Sequence, residues 1–138
     1  MPDEHRRSIF ISHTSKDSQF ARALSDALEK RGLGSWYVRL ARTEEDVQRE
    51  LEQALEQSSV YVFLLSEATM SSPWMFFELG AAMGTGKYVL PVYFSENAWR
   101  RARSYIQNSA ADVRPINASD LKPTEVADRV VEALDAAA

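Results

Sequence analysis

Apolar positions along the chain fall into two patterns, short unbroken runs and longer stretches at helical spacing, and the two take turns. Ser8 to Ser12 is a short apolar run that stops at the polar group His13-Thr14-Ser15-Lys16-Asp17, which predicts a buried strand running into a loop. Phe20, Ala21, Leu24, Ala27 and Leu28 then recur at helical spacing up to Gly32, with Asp17 or Ser15 placed to cap and Gly32 to stop. Gly34 to Val38 reads as a second strand, Arg39 to Thr43 as a loop, and Glu44 to Gln57 as an amphipathic helix with a charged outer face. Val60 to Leu65 is apolar throughout, as expected of a central strand covered on both sides.

The loop Glu67 to Ser71 leads to a helix start, with Ser72 placed to cap and Pro73 in the first turn, where its missing N–H costs nothing. That helix fades into Gly84-Thr85-Gly86. Tyr88 to Phe94 is a fourth strand, in which Pro91 is a mild objection to a central position. Ala98 to Ile106 reads as a helix, Val113 to Asn117 as a short edge strand and Thr124 to Ala137 as a closing helix. Strands that alternate with helices imply a parallel sheet with right-handed crossovers. The fold class expected is α/β, a flavodoxin-like three-layer sandwich whose five-stranded parallel sheet has the order 2-1-3-4-5 with helices on both faces. Its crevice lies outside the C-terminal ends of strands one and three.

That topology selects residues. Ser12 to Ser15 end strand one, Ser66 ends strand three, and Glu78 sits on the helix that leaves strand three. Glu78 stands alone among Trp74, Met75, Phe76, Phe77 and Leu79, and the i, i+4 spacing puts it one turn from Trp74 on the same face. A carboxylate in such company reaches solvent at the rim of a core helix, finds a donor, or sits in a pocket. The convergence of pattern and topology on one cleft favours the pocket.

Composition narrows the function classes. The 138 residues suit one domain, residues 1–138, and 45% hydrophobic with 26% charged residues is ordinary for a globular chain. No cysteine means no disulfide, thiol nucleophile or thiolate metal site, and His5 and His13 flank the first apolar run, a poor ligand pair, so no metal is expected. A net charge of −4 argues against direct nucleic-acid binding, with Arg100, Arg101 and Arg103 read as a solvated helix face. The run Val60 to Leu65 is far too short to span a bilayer, and no apolar core of a signal peptide follows the N-terminus, so no membrane partner and a cytoplasmic location are expected.

Two stretches read together, Ile9-Phe10-Ile11-Ser12-His13-Thr14-Ser15-Lys16-Asp17 and Trp74-Met75-Phe76-Phe77-Glu78-Leu79, with Trp36-Tyr37 between them, resemble the Toll/interleukin-receptor (TIR) domain of the prokaryotic kind over nearly the whole chain. The resemblance implies an NAD+ nucleosidase that cleaves the nicotinamide–ribose bond to give nicotinamide and ADP-ribose or a cyclic variant, in immune or cell-death signalling. It implies Glu78 as the catalytic residue, with NAD+ as substrate and no other cofactor. Trp74 would form an aromatic wall for the nicotinamide end, or be a core aromatic. Ser12, His13 and Ser15 would line the opposite side and donate to ribose or phosphate, or only end the strand and bond loop carbonyls. Ser66 closes the same cleft; Trp36 is site or core, and Arg39 meets a pyrophosphate or is solvated.

The partners implied are NAD+, other TIR domains by self-association, and a separate effector or sensor protein. One departure stands out: the family's loop after strand two usually carries an acidic residue and a Gly-containing turn, whereas Val38 to Asp46 here is shorter and without glycine. A loop of that kind would leave the isolated domain poorly active until a partner or self-assembly completes the pocket. Two other readings compete, a non-catalytic TIR interaction module and a nucleoside deoxyribosyltransferase, which shares the fold and a catalytic glutamate.

Overall fold

The computed structural model describes residues 8–37, 49, 52–53, 56–84, 88–106 and 113–137. In chain order the elements are β1 (Ile9–Ser12), α1 (Ser18–Lys30), β2 (Ser35–Tyr37), β3 (Val60–Leu65), α2 (Pro73–Gly84), β4 (Tyr88–Tyr93), α3 (Glu96–Ile106), β5 (Ile116–Asn117) and α4 (Pro123–Ala137). Short 3-10 turns, Ser15–Asp17 and Glu67–Ser71, precede α1 and α2. All strand pairs are parallel and the order is β2-β1-β3-β4-β5, the flavodoxin-like sheet read from the sequence. Most of the expected helix Glu44–Gln57 lies outside the described residues, but Arg49, Glu52, Gln53, Glu56 and Gln57 are helical and exposed.

The period of two along each strand sorts the core into two layers. Ile9 and Ile11 of β1 and Val60, Val62 and Leu64 of β3 pack with Leu24 and Leu28 of α1 and with Val126, Val130 and Leu134 of α4. Phe10 of β1 and Tyr61, Phe63 and Leu65 of β3 pack on the other side with Met75, Phe76, Leu79 and Met83 of α2 and with Ala98 and Ala102 of α3. The helices that follow β1 and β3 therefore leave toward opposite faces, and a crevice opens where the two chains part.

Several boundaries differ from the sequence expectation, each for a local reason. Helix α3 starts at Glu96 rather than Ala98, because the Ser95 hydroxyl accepts the Ala98 N–H at 3.2 Å and caps the first turn. Strand β5 shrinks from Val113–Asn117 to Ile116–Asn117. Val113 still bridges Val89, but Pro115 brings no N–H to the interval between them. Helix α4 begins at Pro123, a residue preset for a first turn. Gly32 ends α1 with a φ of 80°, its N–H and that of Leu33 closing on the carbonyls of Glu29 and Leu28. The loop expected at Glu67–Ser71 is a 3-10 turn, tied at its start by the Ser66 N–H, which donates to Thr69 Oγ1 at 2.8 Å.

Pro91 does occupy an interior strand, against the objection raised above. The carbonyls of Val89 and Tyr93 accept from Arg114 and Ala118 on the β5 side. In a parallel ladder alternate residues face the same neighbour, so Pro91 directs its missing donor toward the break in β5 rather than toward β3.

Candidate functional site

Strand β1 ends on the face that carries Phe10, and the alternation turns Ser12 toward α2. The Ser12 hydroxyl lies 3.2 Å from Glu78 Oε1 and 3.3 Å from Met75 Sδ. Met75 and Glu78 are three residues apart on α2, so one helical face meets the strand end. Of the two acceptors the carboxylate is the stronger, and it takes the hydroxyl proton. Glu78 is only 4% exposed, between buried Phe76, Leu79 and Ala82 in the chain. A carboxylate taken out of water is costly without a donor, and Ser12 supplies one from the strand that the crevice borders.

A second polar cluster sits beside the first. Asp17 Oδ2 accepts hydrogen bonds from Thr14 Oγ1 at 3.0 Å and from Ser66 Oγ at 2.6 Å. Although Asp17 stands at the N-cap position of α1, its side chain makes no capping bond there. The capping role read from the sequence is thus replaced by a bond across the crevice, from the loop after β1 to the residue after β3. Nearby, His13 Nδ1 is 2.7 Å from the Thr14 carbonyl. A carbonyl only accepts, so this nitrogen carries the proton. The side chain of Glu67 in turn accepts from Ser95 Oγ, tying the turn after β3 to the start of α3.

Of the residues singled out in the sequence, the structure brings Ser12 and Glu78 together, buries His13 in the same loop and places Ser66 opposite it. Ser15 stands exposed in the turn before α1. The backbone of Trp74 lies in the first turn of α2 and that of Trp36 in β2, while both indoles and all of Arg39 lie outside the described residues. Asp17 was not singled out as a site residue. Its partner Ser66 is 49 positions away in the chain, and only the shared strand-end position of the two segments hinted at the meeting.

The layer beneath α2 also holds Tyr61, whose burial pushes its hydroxyl up to about 12. Among the described residues no three His, Cys, Asp or Glu side chains gather as a metal site, and no helix is long and apolar enough to cross a membrane.

A family model described as the TIR domain matches residues 9–134. No curated protein matches the chain. Among solved structures, the TIR domains of the activated Roq1 resistosome, described as directly recognizing the pathogen effector XopQ, align with a TM-score of 0.64 at 17% identity, over 93% of this chain and 99% of that one. The RPS4 and RRS1 TIR domain heterodimer aligns at 0.65 and 13% identity, over 92% and 95%. The Clostridium botulinum CMP N-glycosidase BcmB aligns at 0.59 and 15% identity, over 88% and 98%. Likeness at these identities shows a shared fold.

Proposed function

The chain belongs to the TIR-domain family, and from that premise we propose that it is an NAD+ nucleosidase with Glu78 as its catalytic carboxylate, acting in the cytoplasm in prokaryotic immune or cell-death signalling. The observation that carries the reading is the Glu78 carboxylate itself, buried on the helix after β3 and 3.2 Å from the hydroxyl that ends β1. A lone carboxylate suits this reaction. The pair of electrons in the bond between ribose C1′ and the pyridinium nitrogen leaves with nicotinamide, which departs neutral and needs no general acid. Positive charge develops on the sugar, and an anion beside it, in a site shielded from water, steadies the oxocarbenium-like transition state. Water then adds at C1′ and loses a proton to give ADP-ribose, or a nucleophile within the same molecule adds to give a cyclic product.

Ser12 holds one carboxylate oxygen and fixes the plane of the group before substrate arrives. A ribose hydroxyl entering the crevice donates to the same carboxylate. In this reading Trp74, one turn before Glu78, flanks the nicotinamide; His13, Ser15 and Ser66 contribute from the strand ends, Trp36 takes part in binding and Arg39 meets the pyrophosphate. The likeness to a CMP N-glycosidase fits the same bond class, a base cut from a sugar. The resistosome and heterodimer of the plainly named TIR neighbours favour a second role beside the first, self-association with other TIR domains.

Incubation with NAD+ at high protein concentration, with chromatography of the products, tests the reading. Nicotinamide is expected together with ADP-ribose or a cyclic form, and Glu78→Gln is expected to lower the rate by about 100-fold or more, the scale of removing one preorganised electrostatic stabiliser. Equal slow release by wild type and Glu78→Gln would leave the interaction module as the function. Cleavage of CMP or base exchange on deoxynucleosides, with NAD+ untouched, would move the substrate class to nucleosides and nucleotides.

A further inference from the structure

Beyond Glu78 and Ser12, we propose that Asp17 is a positioning residue: its carboxylate fastens the end of β1 to the end of β3 and so holds Ser12 against Glu78. The catalytic consequence rests on the nucleosidase reading; the mechanical part does not.

Strands β1 and β3 are paired through Ser12 and Phe63, after which their chains part toward opposite faces of the sheet. The paired register between them ends there. Asp17 supplies a tie beyond it. One of its oxygens takes both the Thr14 hydroxyl from its own loop and the Ser66 hydroxyl from the β3 side, and bonds to a charged acceptor are among the stronger ones a chain makes.

Each half that Asp17 joins is itself stiff. On the β1 side, the Thr14 carbonyl accepts both the His13 Nδ1–H and the Asp17 backbone N–H, so Thr14 is fixed at its carbonyl and its hydroxyl together. On the β3 side, the Ser66 N–H donates to Thr69 Oγ1, whose own proton goes to the Leu64 carbonyl. Ser12 is two residues from Thr14, and Glu78 rides the helix that Ser66 and its turn lead into. The two elements that Asp17 binds together are therefore the two that carry the hydroxyl and the carboxylate of the candidate site. A displacement near 1 Å at a reacting group is enough to cost a reaction heavily.

The test uses Asp17→Ala, Ser66→Ala, the double variant and the conservative Asp17→Asn, all in the full chain. With NAD+, Asp17→Ala is expected to lower kcat by about tenfold or more while KM stays within about twofold, since the alignment of the carboxylate is lost rather than a binding contact. At saturating NAD+ the kcat of the double variant should be no lower than that of Asp17→Ala, because both substitutions cut one tie, while a contact of Ser66 with substrate shows in KM. Asp17→Asn, which keeps an accepting oxygen, should recover part of the rate and covers the case in which the alanine variant fails to fold.

Backbone hydrogen exchange reads the same tie without substrate. Residues 12–17 should exchange faster in Asp17→Ala and in Asp17→Asn, with α1 and α4 unchanged. Unaltered exchange at 12–17, or losses of kcat from Asp17→Ala and Ser66→Ala that simply add, would overturn the proposal. A wild-type chain that leaves NAD+ intact would sink the nucleosidase reading alone, and the exchange result would still decide whether Asp17 clamps the strand ends.

Discussion

The two faces of the sheet are built from different materials. On the side of α1 and α4 the fully buried residues are aliphatic, Ile9, Ile11, Leu24, Leu28, Val62 and Leu64 among them. On the side of α2 and α3 half of the buried residues in the described core are aromatic or methionine, namely Phe10, Tyr61, Phe63, Met75, Phe76 and Met83. Phe10 meets Tyr61, and Tyr61 meets Phe63, edge to face at centroid separations of 6.4 Å. Branched aliphatic side chains have few rotamers and interlock tightly, whereas methionine and ring edges adapt to irregular neighbours. The buried carboxylate lies on the adaptable side. Both faces of the sheet thus bury a core, but only one also carries the candidate chemistry, and adjacent residues of β1 serve the two in turn.

Removing one leucine from each face separates these roles most sharply. Leu24→Ala empties a fully buried site on α1 and is expected to cost about 2–5 kcal/mol, read as a fall in denaturation midpoint, with NAD+ cleavage per folded molecule unchanged. Leu79→Ala on α2 should cost a similar amount. It should also slow cleavage, because the cavity opens next to Glu78 in the chain and loosens the helical face that meets Ser12. If both variants slow turnover alike, the faces do not divide the work.

How much of this was legible without coordinates follows from the range of each interaction. β1, β3 and β4 announce themselves as local apolar runs, and the crevice follows from their order, so Glu78 and Ser12 could be brought to one place by topology alone. The cap at Ser95 was equally local, and attention to Ser95 three residues before Ala98 would have started α3 correctly. The role of Asp17 was not local. A polar residue just before a helix reads as a cap by default, and its actual acceptor duty depends on Ser66, which only the folded sheet brings near. The bonding of Ser12 to Glu78 rather than to solvent is likewise a property of how α2 lies on the strand end.

The hydroxyl of Tyr61, in the aromatic layer, gives a middle-sized effect. Tyr61 is fully buried, and burial alone raises its hydroxyl from 10.0 to about 12. The folded state holds this proton more tightly than the unfolded chain does. Its contribution is therefore complete below pH 10 and is lost as the pH climbs toward 12, amounting to about 2–3 kcal/mol across that window at 1.36 kcal/mol per unit. Thermal melts between those limits should show the fall, and Tyr61→Phe should flatten it. A wild type whose alkaline loss matches that of Tyr61→Phe would mean the hydroxyl is reached by water after all.

The smallest effect belongs to the aliphatic side's outer surface. Arg31, just past α1, donates through Nε to Asp128 of α4 at 2.8 Å, and through its other nitrogens to the carbonyls of Ala27 at 2.8 Å and Thr124 at 3.4 Å. The Asp128 side chain is 62% exposed, so water and salt compete for it. An exposed pair of this kind contributes about 0.2–1 kcal/mol and less at high ionic strength. Arg31→Ala should nonetheless cost more than Asp128→Ala, because the guanidinium also satisfies a carbonyl in the last turn of α1, where a cation is favoured. A double-mutant cycle at low and high salt isolates the ion pair from that capping. A coupling that survives high salt undiminished would mean that charge pairing contributes to this face too, and the contrast between a side held mainly by aliphatic packing and a side that carries the buried carboxylate would have to be redrawn.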